Sequence, residues 1–415
     1  MQPNRARYFF RQRLLAALPA MRITGVSVRG IGGFCVFAFT LLLAACGGGG
    51  GSAGASGGGG GEPAATTPTT TTTATTQRFA YVANFRDSRV SLYAVDATTG
   101  QLRPNGSAAT GLAPTSITVD PSGKFAYVTN QNSNDVSAFK INAATGALTP
   151  IFGSPFPAGA GPFCVTVHPS GKFAYVANRG FSTVSAFTID TGTGALTPIA
   201  GSPFAAGADP ASVTVDPSGK FAYVANQNSA NHSALTIDTV SAFTIDATGA
   251  LSPVEGSPFP AGANPTSVTV DPSGKFAYVA NILSNNVSAF TIDAAGALVA
   301  VAGSPFSGFV SPASVTVDPS GKFAYVANRD AASVSAFTID AAGALIAIAG
   351  SPFLTGMGPF SVIVDPSGKF AYTANQTSNN VSAFTIDATG ALTPMGTAVQ
   401  AGDGPDSLAM TILLP

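Results

Sequence analysis

Apolar and small polar residues alternate along the chain from residue 78 onward, in segments separated by turn-forming residues. A representative stretch, residues 265–306, reads PTSVTVDPSGKFAYVANILSNNVSAFTIDAAGALVAVAGSPF. Alternation with a period of two, rich in β-branched and aromatic residues, predicts β-strands, and the DPSG and DAAG segments supply the Pro and Gly that tight turns favour. The stretch therefore predicts four strands, which we name a (SVTVD), b (KFAYVAN), c (VSAFTID) and d (ALVAVAGSPF).

The same stretch occurs seven times, and a tyrosine in strand b marks each copy. These residues are Tyr81, Tyr127, Tyr175, Tyr223, Tyr278, Tyr325 and Tyr372. A repeat of about 47 residues fits a unit of four short strands. Such a unit has two apolar faces and buries neither alone, so neighbouring units must stack around an axis. We therefore predict an all-β fold, a seven-bladed β-propeller with four antiparallel strands per blade and with the tyrosines packed between blades.

The two ends of the repeat region predict how the ring closes. The first copy begins with Arg78 in strand b and has no strand a. Residues 404–415, GPDSLAMTILLP, follow the seventh copy and match strand a. We therefore predict a propeller formed by residues 78–415, whose first blade is completed by the carboxyl-terminal strand.

Residues 1–77 have a different composition. Basic residues precede an apolar run at 34–45 (FCVFAFTLLLAA), which is too short to cross a hydrocarbon core of ~30 Å as a helix and is typical of a signal peptide. The run ends in LAAC at Cys46, which resembles the lipobox of bacterial lipoproteins, where the Cys is acylated. We predict a lipoprotein signal peptide at residues 1–45 and lipidation of Cys46. A conventional signal peptide with a chance Cys and a start at Met21 are the alternatives.

Residues 46–77 consist largely of Gly and Thr and lack the large apolar side chains needed for a core. This composition predicts a flexible tether with a mean reach of roughly 30 Å. The combined prediction is a propeller attached to the lipid bilayer through acylated Cys46. It would lie in the cell envelope, on the outer-membrane or periplasmic side of a Gram-negative bacterium.

Charge and motif content exclude several functions. The formal net charge is −1 and only 9% of residues are charged, so the chain offers no basic surface for nucleic acid. The sequence contains no His-Glu-x-x-His, no Cys-x-x-Cys and no phosphate-binding Gly-rich loop. We predict no metal, no cofactor and no nucleic-acid partner, and a monomeric propeller. Cys164 stands alone in the repeat region, where most copies have Ser, and is predicted to be a small buried residue.

The FAYVAN, DPSGK and VSAFTID phrases resemble those of lactonase-type seven-bladed propellers and the related YVTN-repeat proteins. The resemblance covers residues 78–415. It implies the propeller fold and one of three functions: a lactone hydrolase such as 6-phosphogluconolactonase, a muconate-lactonising enzyme, or a surface propeller without known chemistry.

Residues that differ between copies are the candidate functional residues, because residues repeated in every blade are explained by packing and turns. With strand a along the axis, the d-to-a and b-to-c connections share one face, which we call the loop face, and there the copies differ most. Arg179, His232 and Arg329 lie on this face in separate blades. We predict that they are catalytic, polarising a lactone carbonyl and activating water; the alternative is scattered surface charge.

A second group is predicted to bind a ligand: Arg86, Arg89, Asp330, Asp403 and Asp406. All but Asp330 should meet on the closing blade, where paired Arg side chains would hold a carboxylate. The alternative is a salt-bridge cluster that fastens the seam of the ring.

The two histidines cannot form one site. His232 lies in an insertion that lengthens the fourth copy by about eight residues, and an exposed loop explains this insertion as well as a lid does. His168 replaces the Asp of DPSG and should face the rim opposite the loop face.

Two functions follow from the sequence. The first prediction is a membrane-anchored surface propeller that binds an envelope protein or a glycan through its variable loops. The alternative is a hydrolase acting on a small lactone through Arg and His on the loop face. A phosphorylated lactone suits neither the exported chain nor its scarcity of basic residues, because a phosphate needs a basic pocket.

Overall fold

The alternating segments form strands throughout the repeat region. The computed structural model of the protein describes residues 77–227 and 238–411. Within these two ranges the chain forms 34 strands, arranged in seven separate antiparallel sheets, and one short 3-10 helix (Arg179–Phe181). The predicted all-β fold, a seven-bladed propeller, is confirmed.

The strands are numbered in chain order and grouped by blade. Blade 1 contains β1 (Arg78–Asn84), β2 (Arg89–Val95) and β3 (Leu102–Ala109). Blade 2 contains β4 (Pro114–Val119), β5 (Phe125–Asn130), β6 (Asp135–Ile141), β7 (Leu148–Pro150) and β8 (Phe156–Pro157). Blade 3 contains β9 (Pro162–Val167), β10 (Phe173–Asn178), β11 (Thr183–Ile189), β12 (Leu196–Pro198) and β13 (Phe204–Ala205). Blade 4 contains β14 (Pro210–Val215), β15 (Phe221–Asn226), β16 (Thr239–Ile245), β17 (Leu251–Pro253) and β18 (Phe259–Pro260).

The remaining blades repeat this pattern. Blade 5 contains β19 (Pro265–Val270), β20 (Phe276–Asn281), β21 (Asn286–Ile292), β22 (Leu298–Ala300) and β23 (Phe306–Ser307). Blade 6 contains β24 (Pro312–Val317), β25 (Phe323–Asn328), β26 (Ser333–Ile339), β27 (Leu345–Ala347) and β28 (Phe353–Leu354). Blade 7 contains β29 (Pro359–Val364), β30 (Phe370–Asn375), β31 (Asn380–Ile386), β32 (Leu392–Pro394) and β33 (Val399–Gln400), and the chain ends in β34 (Pro405–Met410).

Each blade has the predicted order a-b-c-d, but strand d is interrupted in blades 2 to 7. Two short pieces, such as β7 and β8, pair separately with strand c. Between the pieces, in blades 2 to 6, a Ser hydroxyl accepts a hydrogen bond from strand c, as Ser154 Oγ does from Ala138 N at 2.9 Å. The side chain thus replaces a main-chain partner where the outer strand leaves the sheet.

The ring closes as predicted, because β34 supplies strand a of blade 1. It pairs antiparallel with β1, with Val82 opposite Leu408 and Ala80 opposite Met410. The same blade continues outward through β2 and β3. The carboxyl-terminal strand therefore joins the two ends of the propeller.

The seven repeated tyrosines are fully buried and link neighbouring blades. Each hydroxyl donates to the carbonyl of a Gly in the c-to-d turn of the next blade, as Tyr81 does to Gly146 at 3.0 Å. The ring of these bonds is completed by Tyr372, which donates to Gly100 O at 2.7 Å. Burial raises the pKa of all seven phenols. The predicted packing role is confirmed, with an inter-blade hydrogen bond in addition.

The a strands of the seven blades surround a central channel. Serines of these strands link neighbouring blades. Ser116 Oγ accepts from Val165 N of the next blade at 3.2 Å, and equivalent bonds join four other pairs of blades. Cys164 holds this position in blade 3, where its Sγ lies 3.8 Å from Val213 O. Burial raises the pKa of the Cys164 thiol. Blade 3 therefore has the weaker sulfur contact where the other blades have a hydroxyl.

A buried ion pair fastens the seam between blades 7 and 1. Arg78, at the start of β1, pairs through Nη1 with Asp365 Oδ2 in the a-to-b turn of blade 7, and both side chains are almost fully buried. Nearby, Phe79 N donates to Thr411 Oγ1 at 2.9 Å. This fastening lies at the end of the propeller opposite the loop face, away from the charged group that the sequence suggested as a seam cluster.

No helix in residues 77–227 or 238–411 is long and apolar enough to span a membrane. The predicted signal peptide, Cys46 and all of the tether except Gln77 lie outside the described residues. The proposed boundaries at residues 45 and 46 therefore stay predictions.

Candidate functional site

Strand a carries a β-bulge at the loop face in every blade. Its pairing with strand b shifts at the second residue, which has no residue opposite it. The residues at this position are Thr115, Phe163, Ala211, Thr266, Ala313, Phe360 and Asp406. Strict alternation would turn one of two consecutive side chains away from the channel, but both Asp406 and Ser407 line it. Bulges commonly aim side chains in this way beside functional sites.

The first residue after strand b forms a second set of equivalent positions. They are Phe85, Gln131, Arg179, Gln227, Ile282, Arg329 and Gln376. The main chain holds them in the same way: Arg179 N donates to Gly161 O at 2.9 Å, and Arg329 N donates to Ser311 O at 3.0 Å. The blades thus present one backbone geometry with different side chains, and the differences define the site.

Arg179 and Arg329, two of the predicted catalytic residues, line the same cavity at the mouth of the channel. The cavity has a volume of about 500 Å³. Phe163, Thr266 and Phe360 line both this cavity and the channel, so the two spaces adjoin. His232, the third predicted catalytic residue, lies outside the described residues and stays a prediction.

Arg179 is held in place by its neighbours. Its Nη2 donates to Gln227 Oε1, and its guanidinium lies over the Phe163 ring, 5.0 Å from the centroid. Burial lowers the pKa of Arg179, and the charge of Asp209 opposes this shift. An Arg side chain remains protonated at any physiological pH. Arg179 is therefore an oriented cation on the cavity wall.

Arg329 is more exposed and has an acidic neighbour. Its Nε lies 4.0 Å from Asp330 Oδ1, and Asp330 also accepts a hydrogen bond from Ser311 Oγ at 2.6 Å. All three residues line the cavity. The predicted ligand residue Asp330 and the predicted catalytic residue Arg329 are therefore brought together.

Asp406 is a buried carboxyl at the channel mouth, and its residue is only 4% exposed. Gln376 Nε2 donates to Asp406 Oδ1 at 2.6 Å. Burial raises the pKa of Asp406 to about 7, although the Gln376 hydrogen bond and the charges of Arg329 and Arg86 oppose the shift. At neutral pH this carboxyl is divided between its protonated and ionised forms, which suits a group that takes up and returns a proton.

The predicted ligand-binding group on the closing blade does not form one cluster. Arg86 Nη1 pairs with Asp403 Oδ1 at 3.2 Å on the exposed loop face, whereas Asp406 turns into the channel. Arg89 Nε donates to Ser107 Oγ at 3.2 Å, between strands c and d of blade 1. The bulge is the physical reason for the division, because it aims Asp406 at the axis while Asp403 stays in the connection.

Two glutamines of the site are absent from the residues that the sequence singled out. Gln227 contacts Arg179, and Gln376 contacts Asp406. Gln occupies this position in three of the seven copies, so it looked like part of the repeat. In residues 77–227 and 238–411, no three His, Cys, Asp or Glu side chains are grouped so that they could hold a metal ion.

Comparison with protein families settles the relationship of the chain. Residues 64–167, 154–241 and 232–406 match the model of the family described as lactonase, 7-bladed beta-propeller. The chain belongs to this lactonase family. The search of curated proteins found no match to this lactonase-family chain.

Solved structures share the fold of this lactonase-family propeller. A candidate 6-phosphogluconolactonase from Bacteroides uniformis is 21% identical, with a TM-score of 0.69 over 81% of this chain and 99% of that chain. The periplasmic gluconolactonase of Pseudomonas aeruginosa is 20% identical, with a TM-score of 0.68 over 81% and 100%. Hydrazine synthase of Kuenenia stuttgartiensis is 24% identical, with a TM-score of 0.56 over 74% and 95%. At these identities the likeness concerns the fold alone, and the chemistry must be argued from the site.

The site of this lactonase-family propeller brings together two chemical functions. Asp406 can exchange a proton near neutral pH, Arg329 and Arg179 supply positive charge, and the shared wall residues place the carboxyl beside the cavity. A buried proton acceptor next to fixed cations suits reactions in which negative charge develops on oxygen.

Proposed function

We propose that the protein is a lactone hydrolase whose reaction takes place at the mouth of the channel. The observation that carries this proposal is the buried Asp406 carboxyl, with a pKa of about 7, beside the cavity lined by Arg179 and Arg329. Membership of the lactonase family supports the same activity. The sequence alone favoured a binding module, but the family match and this carboxyl favour the hydrolase.

In the proposed reaction, ionised Asp406 accepts a proton from water as the water oxygen bonds to the lactone carbonyl carbon. The carbonyl electrons move onto oxygen, and the guanidinium of Arg329 stabilises the resulting negative charge. When the carbonyl forms again, the ring C–O bond breaks and the leaving alkoxide takes the proton from Asp406. The product is a hydroxy acid, and Asp406 returns to its ionised form.

Two further residues would position these groups. Gln376 donates to one oxygen of Asp406 and leaves the other carboxylate oxygen for water. Arg179, held between Gln227 and Phe163, would bind a second oxygen of the substrate. His232 would join the site only if the insertion that carries it reaches the cavity.

The proposed location is the cell envelope. A signal peptide and acylated Cys46 would attach the enzyme to a membrane, with residues 46–77 as its tether. An exported enzyme would meet extracellular or periplasmic lactones.

The test is hydrolysis of a panel of unphosphorylated and phosphorylated sugar lactones and simple alkyl lactones by the purified protein. We expect Asp406→Asn to lower kcat by about 10² to 10⁴, and Arg179→Ala combined with Arg329→Ala to remove detectable turnover. Arg103→Ala is the matched control, because Arg103 on β3 pairs with Asp96 and does not line the cavity.

Two results would contradict the proposal. One is a purified wild-type protein that hydrolyses no lactone faster than buffer does, which would favour the binding module. The other is full activity in Asp406→Asn, which would remove Asp406 from the reaction.

A further inference from the structure

Four large apolar side chains line the cavity at the channel mouth: Phe163, Ile282, Leu283 and Phe360. None of them belongs to the apolar clusters that hold the described blades together. All four are partly exposed, and Leu283 is 42% exposed. Apolar groups that face a cavity without serving the core mark a surface for a ligand.

Three of these side chains differ from the residues that most other blades have at the equivalent positions. Phe163 and Phe360 occupy the bulge position, where four other blades have Thr or Ala. Ile282 occupies the position after strand b, where five other blades have Gln or Arg. The fold does not require a large apolar group at either place, because the other blades have the same backbone without one.

The apolar surface continues outward along the same face. Val310, Met357 and Phe181 are 49%, 59% and 70% exposed. Val310 and Phe181 lie on the connections that also carry Ser311 and Arg179, and Met357 precedes β29, which carries Phe360. The cavity thus opens between apolar residues.

The charges of the cavity are largely balanced. Arg329 has Asp330 within 4.0 Å, and Arg179 is under the influence of Asp209. Six of the seven lysines belong to the PSGK turns, which lie at the other end of the propeller from the cavity. A phosphate dianion needs unpaired cationic donors, and this site offers few.

We infer that the substrate is a lactone with an apolar substituent and without a phosphate group, an inference that rests on the proposed lactone hydrolase activity. The carbonyl would face Asp406 and Arg329, and the substituent would lie against Leu283, Ile282 and Phe360. The volume of about 500 Å³ lies within the roughly 300–1,000 Å³ of sites that bind small organic molecules, so it accommodates a substituent beyond the ring.

The test is a homologous series of γ-lactones that differ only in the length of the alkyl chain at the ring carbon bearing oxygen. Gluconolactone and its 6-phosphate complete the panel. We expect kcat/KM to rise about fourfold for each methylene group buried, until the chain fills the cavity. The phosphorylated lactone should give the lowest kcat/KM of the panel.

Variants locate the effect in the cavity. Leu283→Ser and Phe360→Ala should each reduce the gain per methylene group, with a greater loss for long chains than for short ones. Ile346→Ser is the matched control, because Ile346 is 55% exposed on β27 and lies outside the cavity. This variant should reproduce the wild-type series.

The outcomes separate the substrate class from the activity. If the protein hydrolyses gluconolactone or its phosphate with a higher kcat/KM than every alkyl lactone, the hydrolase proposal stands and the inference is overturned. If no lactone is hydrolysed, the hydrolase proposal fails, and calorimetric titration with the γ-lactams of the same series tests the cavity directly. Binding that strengthens with chain length would then support an apolar ligand, and absence of binding would overturn it.

Discussion

Replacing Asp406 with Asn should stabilise the protein at neutral and alkaline pH while it inactivates the proposed site. The carboxyl is buried at the channel mouth, where its ionisation is costly, and its principal hydrogen bond comes from Gln376. Asn has nearly the same shape and keeps an oxygen that accepts the Gln376 bond. The substitution therefore removes the charge and leaves the packing almost unchanged.

The size of the effect follows from the pKa. The ordinary value of 3.8 applies in the unfolded chain, and the folded protein raises it to about 7. Between these values the folded state holds a proton that the unfolded state releases, so the free energy of unfolding falls as pH rises. The full loss is about 4 kcal/mol, of which about 2–3 kcal/mol falls between pH 5 and pH 8. Asp406→Asn has no carboxyl at this position and lacks this loss. The free energy of unfolding of Asp406→Asn relative to wild type should therefore be about 2–3 kcal/mol greater at pH 8 than at pH 5.

Urea unfolding followed by circular dichroism, at steps between pH 5 and pH 8, measures the difference between the two proteins. Asp403→Asn serves as the control, because it makes the same substitution at an exposed side chain in the adjoining connection. A difference between wild type and Asp406→Asn that stays constant over this range would refute the raised pKa. In activity assays, the kcat/KM of wild type should rise with pH through about 7 as the base ionises.

Other parts of the structure lead to three further predictions. Arg78→Ala should lower the free energy of unfolding by about 1.5–3 kcal/mol, because it removes the ion pair with buried Asp365, which keeps its hydrogen bonds to the a-to-b turn; an unchanged urea midpoint would argue against the seam. Cys164→Ser should raise the thermal unfolding temperature through a hydrogen bond worth about 1 kcal/mol, adding a sixth serine link to the five around the channel, and a lower temperature would count against these links. Cys46→Ala should move the protein from the membrane fraction to the soluble fraction, and retention in the membrane would rule out the lipid anchor.

The fold was predictable because each copy carries complete local information. Alternation, turn residues and the surplus segment after the seventh copy were sufficient to predict the blades and the closure by β34. The interruption of strand d was missed, because it depends on a hydrogen bond between Ser154 and strand c that no hydrophobic pattern records. An outer strand has one neighbour only, so a side chain can replace its main-chain partner there at little cost.

The site was predictable only in part, and the bulge explains the limit. Differences between copies identified Arg179 and Arg329, which do share a cavity. They also identified Asp406, but grouped it with Arg86 and Asp403, because position in the sequence does not show which way a bulged residue points. The pairing of Asp406 with Gln376 joins two blades that meet at the seam, and only the register of β34 on β1 reveals it.

The position of Asp406 in the repeat supports a chemical role more strongly than its charge alone. Six other blades have Thr, Ala or Phe at the bulge, so the backbone accepts neutral residues there without difficulty. Because its pKa is raised to about 7, an Asp at this position should lower the stability of the protein at neutral pH, whereas any of the neutral residues would serve a structural role without that cost. A buried carboxyl with a pKa of about 7, under the influence of the Arg329 and Arg86 charges, suits proton transfer. If Asp406→Asn is both more stable than wild type and inactive, the same carboxyl lowers the free energy of unfolding and is required for lactone hydrolysis.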